Sequence, residues 1–373
     1  MRAGRWLTAL SGLGLCAACS GPVSNLPPLD ETAVKAERHL EQVAQIKDYV
    51  AQLHRVDSVA YRIRIANRAD CKDNVAAQIG LYALTPQSLP RRYRSYAADA
   101  LKLSWERPTA VSVAEGSPAA QAGIAAGDEI IAFDGELIPV ESTPGWIAEW
   151  LRRNGEKPLE INLRRQGSDR TVTVTPVIGC AIPINYVTAD AANAATDGNK
   201  VVISSAIVSL AQTDAQLAVI IGHELAHANL GHNRKRNLNA LLGAAGGAFV
   251  DAGFLTGGMY TGGAFRRAFA RAGARAYSVQ FEREADYVGA YYAARAGYDL
   301  AGAEDIWRVL GRSHPGSIGY AGTHPTTPER FIQMQKVTQE IADKERRHLP
   351  LVPEIKLSRD GSADLAQHDA TAQ

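Results

Sequence analysis

The chain has 373 residues, of which 46% are hydrophobic and 21% are charged, a composition typical of globular proteins. Disorder over the whole chain and collagen-like or coiled-coil structure are therefore excluded. Its 40 Lys and Arg residues balance 39 Asp and Glu residues, so the formal charge is +1 and nothing in this balance favours nucleic acid as a partner. A chain of this length predicts about two domains, each with a core of its own.

The first residues have the pattern of an export signal. Arg2 and Arg5 precede an apolar run from Trp6 to Leu15, which is too short to span a membrane but has the length of a signal-peptide core. We therefore predict that residues 1–18 are a signal peptide and are absent from the mature protein.

Residues 15–20 read LCAACS and resemble a bacterial lipoprotein box, in which small residues precede a cysteine that is lipidated after cleavage. The resemblance implies a lipid anchor on Cys19. Ser20 in the next position implies sorting to the outer membrane, with the protein facing the periplasm. The alternative is simple secretion after cleavage near Ala18.

Only Cys71 and Cys180 follow the predicted anchor. In an oxidising compartment such as the periplasm, two cysteines of an exported chain more often pair than stay free. We therefore predict a disulfide between Cys71 and Cys180, with two buried thiols as the alternative.

The region before the first recognisable module is predicted to be a tether followed by a helix and two strands. Residues 19–30 contain three prolines and favour an extended tether. Apolar positions recur at helical spacing from Glu31 to Arg55. By contrast, Tyr61–Ile65 alternates as in a half-buried strand, and Gln78–Leu84 favours a second strand.

Residues 116–135 read GSPAAQAGIAAGDEIIAFDG and resemble the signature of bacterial PDZ domains. Within this segment Ser117-Pro118 favours the start of a short helix, Gly123 and Gly127 permit tight turns, and Asp128–Phe133 is typical of a buried strand. The segment therefore predicts a small β-rich module.

We assign this module to residues 90–178. A helix is predicted over Thr143–Arg153, and closing strands are predicted over Leu159–Leu163 and Thr171–Val177. PDZ domains bind extended peptides by adding them as a strand to a sheet edge, so the resemblance implies polypeptide recognition. Residues 97–104, where the carboxylate-binding loop is expected, contain no glycine, and a structural spacer is the alternative.

The strongest indication of chemistry is the pentad His223-Glu224-Leu225-Ala226-His227. Two histidines four residues apart project from one face of a helix and can share a metal ion, which brings Glu224 beside it. Neutral imidazoles suit zinc, and a carboxylate next to the ion can act as the general base that amide hydrolysis requires. The alternative is a pair of histidines packed in the core, with a glutamate whose carboxylate is hydrogen-bonded to other protein groups.

The surrounding residues predict that the pentad lies in the middle of a helix. Thr213-Asp214-Ala215-Gln216 fits a capping box, and the apolar pattern continues to about Leu230. His232 falls off the metal-facing side of this helix and is interpreted as a helix-end histidine. A third ligand must therefore come from elsewhere in the chain.

A second predicted helix supplies that ligand. Glu282 and Asp286 share one of its faces, where Ala285 and Gly289 are small enough for a neighbouring helix to approach. We predict that Glu282 binds the metal and that Asp286 accepts the free ring N–H of a ligand histidine. Glu284 points away on helical geometry. A solvated helix face is the alternative for an isolated Glu/Asp pair.

Taken in order, these motifs resemble the HtpX-like and CAAX-prenyl-protease-like zinc metallopeptidases, particularly their soluble periplasmic, BepA-like members. Asn193-Ala194 and Lys200–Ser205 look like the family's active-site edge strand, and the resemblance covers residues 181–345. It implies a gluzincin-type peptidase that binds one zinc ion through the two pentad histidines and Glu282, with Glu224 as the base.

The same resemblance implies roles for two residues further along. In Thr323-His324-Pro325, His324 would lie near the zinc and act as a removable fourth ligand, and Arg330 would face the catalytic cleft. From the residues alone, His324-Pro325 could equally be a turn that enters the helix carrying Arg330. His314-Pro315 lacks the helix start that follows His324, so His314 is interpreted as a loop residue.

Between the two metal-ligating segments, residues 238–263 are rich in Gly and Ala and mostly apolar, with basic residues on both sides. Asp251 interrupts the run, so a transmembrane helix is not predicted. A pair of packed small-residue helices is favoured over a mobile lid or a membrane-facing hairpin.

The sequence therefore predicts an α+β protein in which a mainly α-helical, gluzincin-type metallopeptidase domain with a small edge sheet follows a β-rich PDZ domain. Its predicted parts are the signal peptide (1–18), a tether (19–30), an N-terminal helix and strands that pack on the body (31–89), the PDZ domain (90–178), the peptidase domain (179–348) and a polar tail (349–373).

Location and resemblance together predict an outer-membrane-anchored zinc metalloendopeptidase that hydrolyses misfolded or misassembled envelope proteins. Its predicted catalytic residues are Glu224, Asp286 and Arg330. The expected partners are polypeptides and the membrane reached through Cys19, and nucleic acid is not expected. One alternative is a PDZ-containing assembly factor or chaperone whose zinc site is closed and non-catalytic, and another is a lipoprotein in which the PDZ domain alone matters.

Overall fold

The computed structural model describes residues 24–141, 143–276, 278–313 and 328–354. The predicted signal peptide, the predicted lipidation site Cys19, and both His314 and His324 lie outside these residues. The predictions made for them therefore stay predictions.

The chain divides into one compact unit up to Gln42 and a second unit from Val43 onwards. In the first unit the described residues carry no regular structure until helix α1 (Glu31–Ala66) begins. The carboxylate of Asp30 accepts a hydrogen bond from the Thr32 N–H (2.8 Å), which satisfies one of the unpaired donors at the helix start.

Helix α1 includes a segment that was expected to be a strand. The sequence predicted a helix to Arg55 and a strand over Tyr61–Ile65, and the strand is wrong because the helix continues to Ala66. Polar and apolar residues do alternate over Tyr61–Ile65, but the buried residues of this part of α1 recur every three or four positions, as in a helix. These buried residues, which pack in the core around the pentad, are Val56, Val59, Ala60 and Ile63.

The next part of the second unit is β-rich, as predicted. In chain order its elements are β1 (Val75–Gln78), β2 (Leu81–Leu84), α2 (Arg91–Leu101), β3 (Thr109–Val113), α3 (Pro118–Gln121), β4 (Glu129–Phe133), β5 (Glu136–Leu137), α4 (Thr143–Asn154), β6 (Leu159–Arg165), β7 (Ser168–Val174) and β8 (Val177–Cys180). Strands β2-β3-β4-β6-β7 form an antiparallel sheet in this order, with β5 on β4. Strand β1 pairs separately with β8.

The predicted strand over Gln78–Leu84 is two strands in different sheets. Gly80, with φ 68°, separates them, and a side chain at this position would collide with Ser117. Because β2 pairs with β3, the sheet of the module begins ahead of the boundary predicted at residue 90.

Residues 97–104, where a loop was expected, lie mostly in helix α2. Helix α2 was not predicted from the sequence. Its buried residues Tyr93, Tyr96 and Ala97 pack against Ile46 and Leu53 of α1, which are far away in sequence. Tertiary contact with α1 therefore stabilises a segment whose own pattern is weak.

The remaining part of the second unit is mainly helical with one small sheet, as predicted. Its elements are β9 (Ile184–Val187), β10 (Ala194–Thr196), β11 (Val201–Ser204), α5 (Ser205–Leu210), α6 (Asp214–Asn229), α7 (His232–Thr256), α8 (Ala264–Arg275), α9 (Ser278–Arg295), α10 (Asp305–Ser313) and α11 (Pro328–Arg346). The central strand β11 pairs antiparallel with β10 and parallel with β9. The described residues thus have the α+β organisation that the sequence predicted.

A disulfide joins the segment after α1 to the end of β8. Cys71 and Cys180 are bonded through sulfur, their Cα atoms are 5.5 Å apart, and they are separated by 109 positions in the sequence. Arg64 of α1 adds a hydrogen bond from its Nε to the Cys180 carbonyl (2.8 Å). The structure thus brings together the two cysteines that were predicted to pair.

The first residues of the predicted tail are held on the helical part of the protein. Leu351 packs against its core, and the N–H of Glu354 donates a hydrogen bond to the Tyr287 hydroxyl (2.9 Å). Lys344 donates a further bond to the Val352 carbonyl (2.7 Å). Residues 349–354 form no helix or strand but are held on the protein by these contacts, and residues 355–373 lie outside the described part.

One buried carboxylate supports the loop that precedes β4. Asp128 is 1% exposed and accepts two hydrogen bonds from Arg165, both 2.6 Å long, and one from the Ala125 N–H (2.9 Å). Burial alone would raise the pKa of Asp128, but the hydrogen bonds from Arg165 and Ala125 hold it below the ordinary value. The charged form of Asp128 therefore stabilises the fold.

We predict that Asp128→Asn lowers the free energy of unfolding by about 2 kcal/mol at neutral pH, because charge-assisted hydrogen bonds are lost. The carboxylate contributes this stability in full above its unfolded-state pKa of about 4, and the contribution disappears as the pH falls through the lower pKa of the folded state. Urea unfolding at about pH 7 and about pH 3 should therefore show a smaller difference between the two proteins at the lower pH.

The matched control is Asp169→Asn. Asp169 also accepts two hydrogen bonds from an arginine, Arg164 (2.6 and 3.0 Å), but its side chain is 64% exposed. Water replaces the lost bonds at an exposed site, so this variant should lose little stability. If Asp128→Asn and Asp169→Asn lost equal amounts of stability, burial could not be the reason why the hydrogen bonds of Asp128 stabilise the fold.

Candidate metal centre

Helix α6 carries the pentad and is buried along most of its length. The Thr213 hydroxyl accepts a hydrogen bond from the Gln216 N–H (3.2 Å), while the Gln216 side chain binds the Gln212 N–H (2.8 Å) and not that of Thr213. Only one half of the predicted capping box therefore forms. Every residue from Gln216 to His227 is buried, so the pentad lies in the protein core.

The backbones of α6 and α9 touch at two glycines. A Cβ atom on Gly222 would collide with the carbonyl oxygen of Gly289, and a Cβ atom on Gly289 would collide with the backbone nitrogen of His223. Helices packed through side chains keep their axes about 8–10 Å apart, whereas glycine allows a closer approach. This approach aligns the pentad on α6 with Glu282 and Asp286 on α9.

Three donor side chains converge where these helices meet. Nε2 of His223 lies 3.0 Å from Nε2 of His227. Oε2 of Glu282 lies 3.4 Å from the first of these nitrogens, and Oε1 lies 3.4 Å from the second. One ligand atom from each residue lies within 4.8 Å of the other two, and all three residues are buried. The structure thus brings together the three residues predicted to hold a metal ion.

Asp286 and Arg330 lie behind these donors. Oδ1 of Asp286 lies 2.9 Å from Nδ1 of His223, as expected for a carboxylate that orients a ligand histidine. Arg330 of α11 donates from Nε and Nη2 to the two oxygens of Asp286 (2.7 and 2.6 Å). Its guanidinium carbon lies 4.3 Å from the ring centre of Trp307 on α10.

The role in the catalytic cleft that the resemblance implied for Arg330 stays a prediction, and among the described residues Arg330 lies in the core beside the donors. It is 2% exposed, and its Nη1 lies 3.5 Å from Glu282. Because it binds Asp286 with two nitrogens and approaches a donor carboxylate with the third, it supports the donors from inside the core. Asp286 and Arg330 are therefore positioning residues.

The buried charges in this cluster shift one another's pKa values. Burial alone would lower the pKa of His223, but Asp286 and Glu282 beside its ring raise it to about 9. Burial alone would raise the pKa of Asp286, but Arg330 and His223 hold it below the ordinary value. The pKa of Arg330 is raised, because the nearby carboxylates outweigh the effect of burial. Asp286 and Arg330 are thus charged partners, and removing either would leave an unpaired charge in the core.

Glu224 lies beside the donor group. It is 2% exposed and follows His223 directly on α6, so its side chain leaves the helix at a different angle from those of the two histidines. Its carboxylate is close enough to Arg330 to raise the pKa of that guanidinium. This placement agrees with the predicted role of Glu224 as a base rather than a ligand.

His232 and Glu284 complete a second line of contacts that the sequence analysis missed. Nδ1 of His232 lies 2.9 Å from Nδ1 of His227, and Nε2 of His232 lies 3.0 Å from a carboxylate oxygen of Glu284. When His227 offers Nε2 to a metal ion, its Nδ1 carries the hydrogen and donates it to His232. The Nε2–H of His232 then donates to Glu284, so both residues hold the ring of His227.

His232 lies at a helix end and is not one of the three donors, as predicted, but it belongs to a different helix from the pentad. Helix α6 ends at Asn229, and Gly231 reverses the chain direction with φ 65°, so that His232 begins α7. Helical periodicity counted from the pentad therefore does not apply to it. The interpretation that Glu284 points away from the metal holds, but its side chain is bound to His232.

The donor set fits a metal ion. Two imidazole nitrogens and one carboxylate oxygen suit zinc, and three protein ligands leave a fourth position for water or substrate. Each histidine also has an outer partner that fixes its ring, Asp286 for His223 and His232 for His227. The predicted fourth ligand, His324, lies outside the described residues.

We predict that Gly289→Ala destabilises the metal-free protein by about 1–3 kcal/mol and weakens zinc binding, because the added methyl group forces α9 away from α6. Urea unfolding and competition with a chromogenic zinc chelator measure the two effects. The matched control is Gly253→Ala, also within a helix but with nothing within 4 Å of the added Cβ atom. It should be neutral or raise stability by up to about 1 kcal/mol. Unchanged stability and zinc affinity in Gly289→Ala would contradict the close contact between α6 and α9.

We predict that His232→Leu weakens zinc affinity by about 10–100-fold, because the ring of His227 loses the partner that orients it. The conservative variant His232→Asn should keep most of the affinity, since an amide can occupy the position of the imidazole Nδ1. Chelator competition at one fixed pH measures both affinities. Equal affinities for the wild type and His232→Leu would remove the positioning role.

Comparison with known proteins agrees with this geometry. Residues 182–338 match the model of peptidase family M48, and residues 109–165 match a model of the PDZ domain. The mitochondrial metalloendopeptidase OMA1 of Arabidopsis thaliana is 30% identical over 136 residues, which make up 35% of this chain and 26% of that protein. The matching part therefore spans about a quarter of that relative.

Solved structures similar to the chain include the PDZ domain of HtrA3 bound to a phage-derived ligand (FGRWV), with 22% identity, a TM-score of 0.22, and coverage of 28% of this chain and 88% of that one. Another is the HtrA-type protease AlgW with a decapeptide, with 20% identity, a TM-score of 0.23, and coverage of 28% and 30%. The family matches thus place a region similar to peptidase family M48 over residues 182–338, behind a region similar to PDZ domains.

Proposed function

We propose that the protein is a zinc-dependent metalloendopeptidase that hydrolyses peptide bonds in polypeptides. One observation carries the proposal, namely that the buried donors of His223, His227 and Glu282 lie within 4.8 Å of one another with Glu224 beside them. The match of residues 182–338 to the model of peptidase family M48 supports the same reaction.

The residues around the donors have distinct parts in this reaction. Zinc bound by the three donors would supply Lewis-acid activation of a water molecule and of the scissile carbonyl. Glu224 takes the proton of the attacking water and passes it to the departing amine. Asp286 and His232 each hold one ligand ring, and Arg330 holds Asp286, so the donors stay aimed at one point.

The small sheet provides a place for the substrate backbone. Strand β10 lies at one end of this sheet and contacts α6. Within the described ranges its outer edge pairs with no other strand. An extended polypeptide that hydrogen-bonds to β10 would run alongside the helix that carries the pentad.

The PDZ domain supports polypeptide recognition in the same way. Strand β2 is the end strand of its sheet, and α4 packs beside it. Among the residues that the structure describes, β3 is the only strand paired with β2. Its other edge is therefore the proposed site at which a segment of client polypeptide adds to the sheet.

We place the mature protein at the outer membrane, facing the periplasm and anchored by a lipid on Cys19. The resemblance of residues 15–20 to a lipoprotein box carries this part of the proposal. The Cys71–Cys180 disulfide supports an oxidising compartment. Misfolded or misassembled envelope proteins are the substrates proposed from this location.

The test uses residues 20–373 of the wild type and of Glu224→Gln, which preserves the shape of the side chain but removes the base. Both proteins should bind about one zinc ion per chain. The wild type should cleave an unfolded polypeptide, and the variant should be slower by a factor of about 100 or more. Zinc content by elemental analysis and cleavage followed by gel electrophoresis measure the two properties.

Glu41→Gln is the matched control, because Glu41 lies on α1, outside the metal centre and both proposed polypeptide-binding edges, and is exposed. This variant should bind zinc and cleave like the wild type. Zinc binding without cleavage by any of the three proteins would contradict the peptidase proposal and favour an assembly factor with a closed zinc site.

A further inference from the structure

The segment between the two metal-ligating helices forms a helical hairpin with an unusual surface. The hairpin comprises residues 232–276, with α7 and α8 as its arms. Helix α7 begins three residues after the end of α6, and α9 begins three residues after the end of α8. Both ends of the hairpin are therefore joined directly to the helices that carry the donors.

The two arms are held together by backbone contacts. Cβ atoms on Gly243 and Gly247 of α7 would collide with backbone atoms of α8, and a Cβ atom on Gly273 of α8 would collide with the backbone of α7. Helices that pack through glycine need no large side chains between them. This agrees with the packed small-residue helices predicted from the sequence and leaves the large apolar residues for the outer face.

These large apolar residues are exposed to an unusual degree. Phe249 is 80% exposed, Leu241 is 66% exposed, and Tyr260 in the loop between the arms is 85% exposed. The exposed large apolar residues of the hairpin are Leu238, Leu241, Leu242, Phe249, Phe254, Leu255, Met259, Tyr260 and Phe269. So many exposed large apolar residues in one hairpin are typical of an interaction site.

The single acidic residue of the hairpin is bound to the loop between the arms and to the start of α8. The carboxylate of Asp251 accepts hydrogen bonds from the Thr261 hydroxyl and from the N–H groups of Phe265 (3.2 Å) and Arg266 (2.9 Å). Asp251 therefore caps the start of α8 and does not interrupt the apolar face. In the sequence alone, the charge of Asp251 disfavoured a membrane-spanning helix.

The hairpin is strongly basic although the whole chain is almost neutral. It contains seven Lys and Arg residues and one Asp, a net charge of +6, whereas the formal charge of the chain is +1. Arg267, Arg271 and Arg275 recur every four positions and so share one face of α8. None of the seven basic side chains forms an ion pair with a described residue.

Apolar and basic side chains together fit a bilayer with anionic headgroups. Apolar residues enter the boundary between headgroups and acyl chains, and arginines bind the phosphates above them. A second copy of the hairpin fits poorly, because burying Phe249 against its counterpart would bring two surfaces of charge +6 together.

The hairpin is suited to lie on a membrane rather than to cross it. By length and composition, α7 is the one described helix that could span a bilayer, and only 6% of its most apolar stretch is buried. A hairpin that crosses would also need α8 to cross. With 12 residues α8 is about 18 Å long, shorter than the hydrocarbon core of about 30 Å, and four of its residues are arginines.

We infer that the hairpin is a membrane-docking surface that binds anionic phospholipid bilayers through the outer face of α7, the loop after it and the arginines of α8. This surface is independent of any lipid anchor on Cys19. Because its ends continue into α6 and α9, docking holds the metal centre close to the bilayer.

The test measures binding of residues 20–373, which lack Cys19, to phospholipid vesicles by flotation. Wild type should float with vesicles containing about a third phosphatidylglycerol and bind pure phosphatidylcholine more weakly. Phe249→Glu should lower the partition coefficient about tenfold or more, because it places a charge in the apolar face. Arg267→Ala should lower it about fivefold on the anionic vesicles.

The matched control is Leu137→Glu, since Leu137 in β5 is 72% exposed and lies in the PDZ domain, outside the hairpin. It should float like the wild type. Circular dichroism and zinc content establish that each variant is folded. Failure of the wild type to float would overturn the inference, as would unchanged flotation of Phe249→Glu. A hairpin that instead joins two copies would be revealed by light scattering as a dimer that Phe249→Glu disrupts.

Discussion

The backbone contact between Gly222 and Gly289 is the constraint on which the metal centre depends. Helix α6 carries both histidines and α9 carries Glu282, so the donor atoms come within 4.8 Å only while the two helices touch. Any side chain at either glycine would separate the helices and move the carboxylate away from the imidazoles. The ligand geometry is therefore a property of the helix packing as much as of the ligands themselves.

The second constraint is the cost of placing so many ionisable groups in a core. Asp286 and Arg330 are almost wholly buried, and they meet that cost by binding each other with two hydrogen bonds (2.7 and 2.6 Å). The same pair fixes His223, while His232 and Glu284 fix His227. Each ligand histidine thus has its own support, and the two supports come from different parts of the chain.

The elements around this centre give the protein two kinds of surface. Strands β2 and β10 each end a sheet, and such edges suit extended polypeptides. The hairpin of residues 232–276 instead presents apolar and basic side chains, which suit a lipid surface. The hairpin lies between the two ligand-bearing helices in the sequence and is joined directly to both. A surface that binds the hairpin therefore also orients the metal centre relative to that surface.

The sequence by itself determined the features that depend on one helix at a time. The His223–His227 and Glu282–Asp286 pairs could be predicted because residues four apart share a helix face. Tertiary structure decided which residues support them. His232 reaches His227 only because the chain reverses at Gly231, and no periodicity encodes that turn. Burial likewise depends on partners that are distant in the sequence. The apolar pattern of α7 therefore could not show that its outer face is exposed rather than packed in a core. For the same reason, the pattern at the end of α1 could not distinguish a helix from a strand.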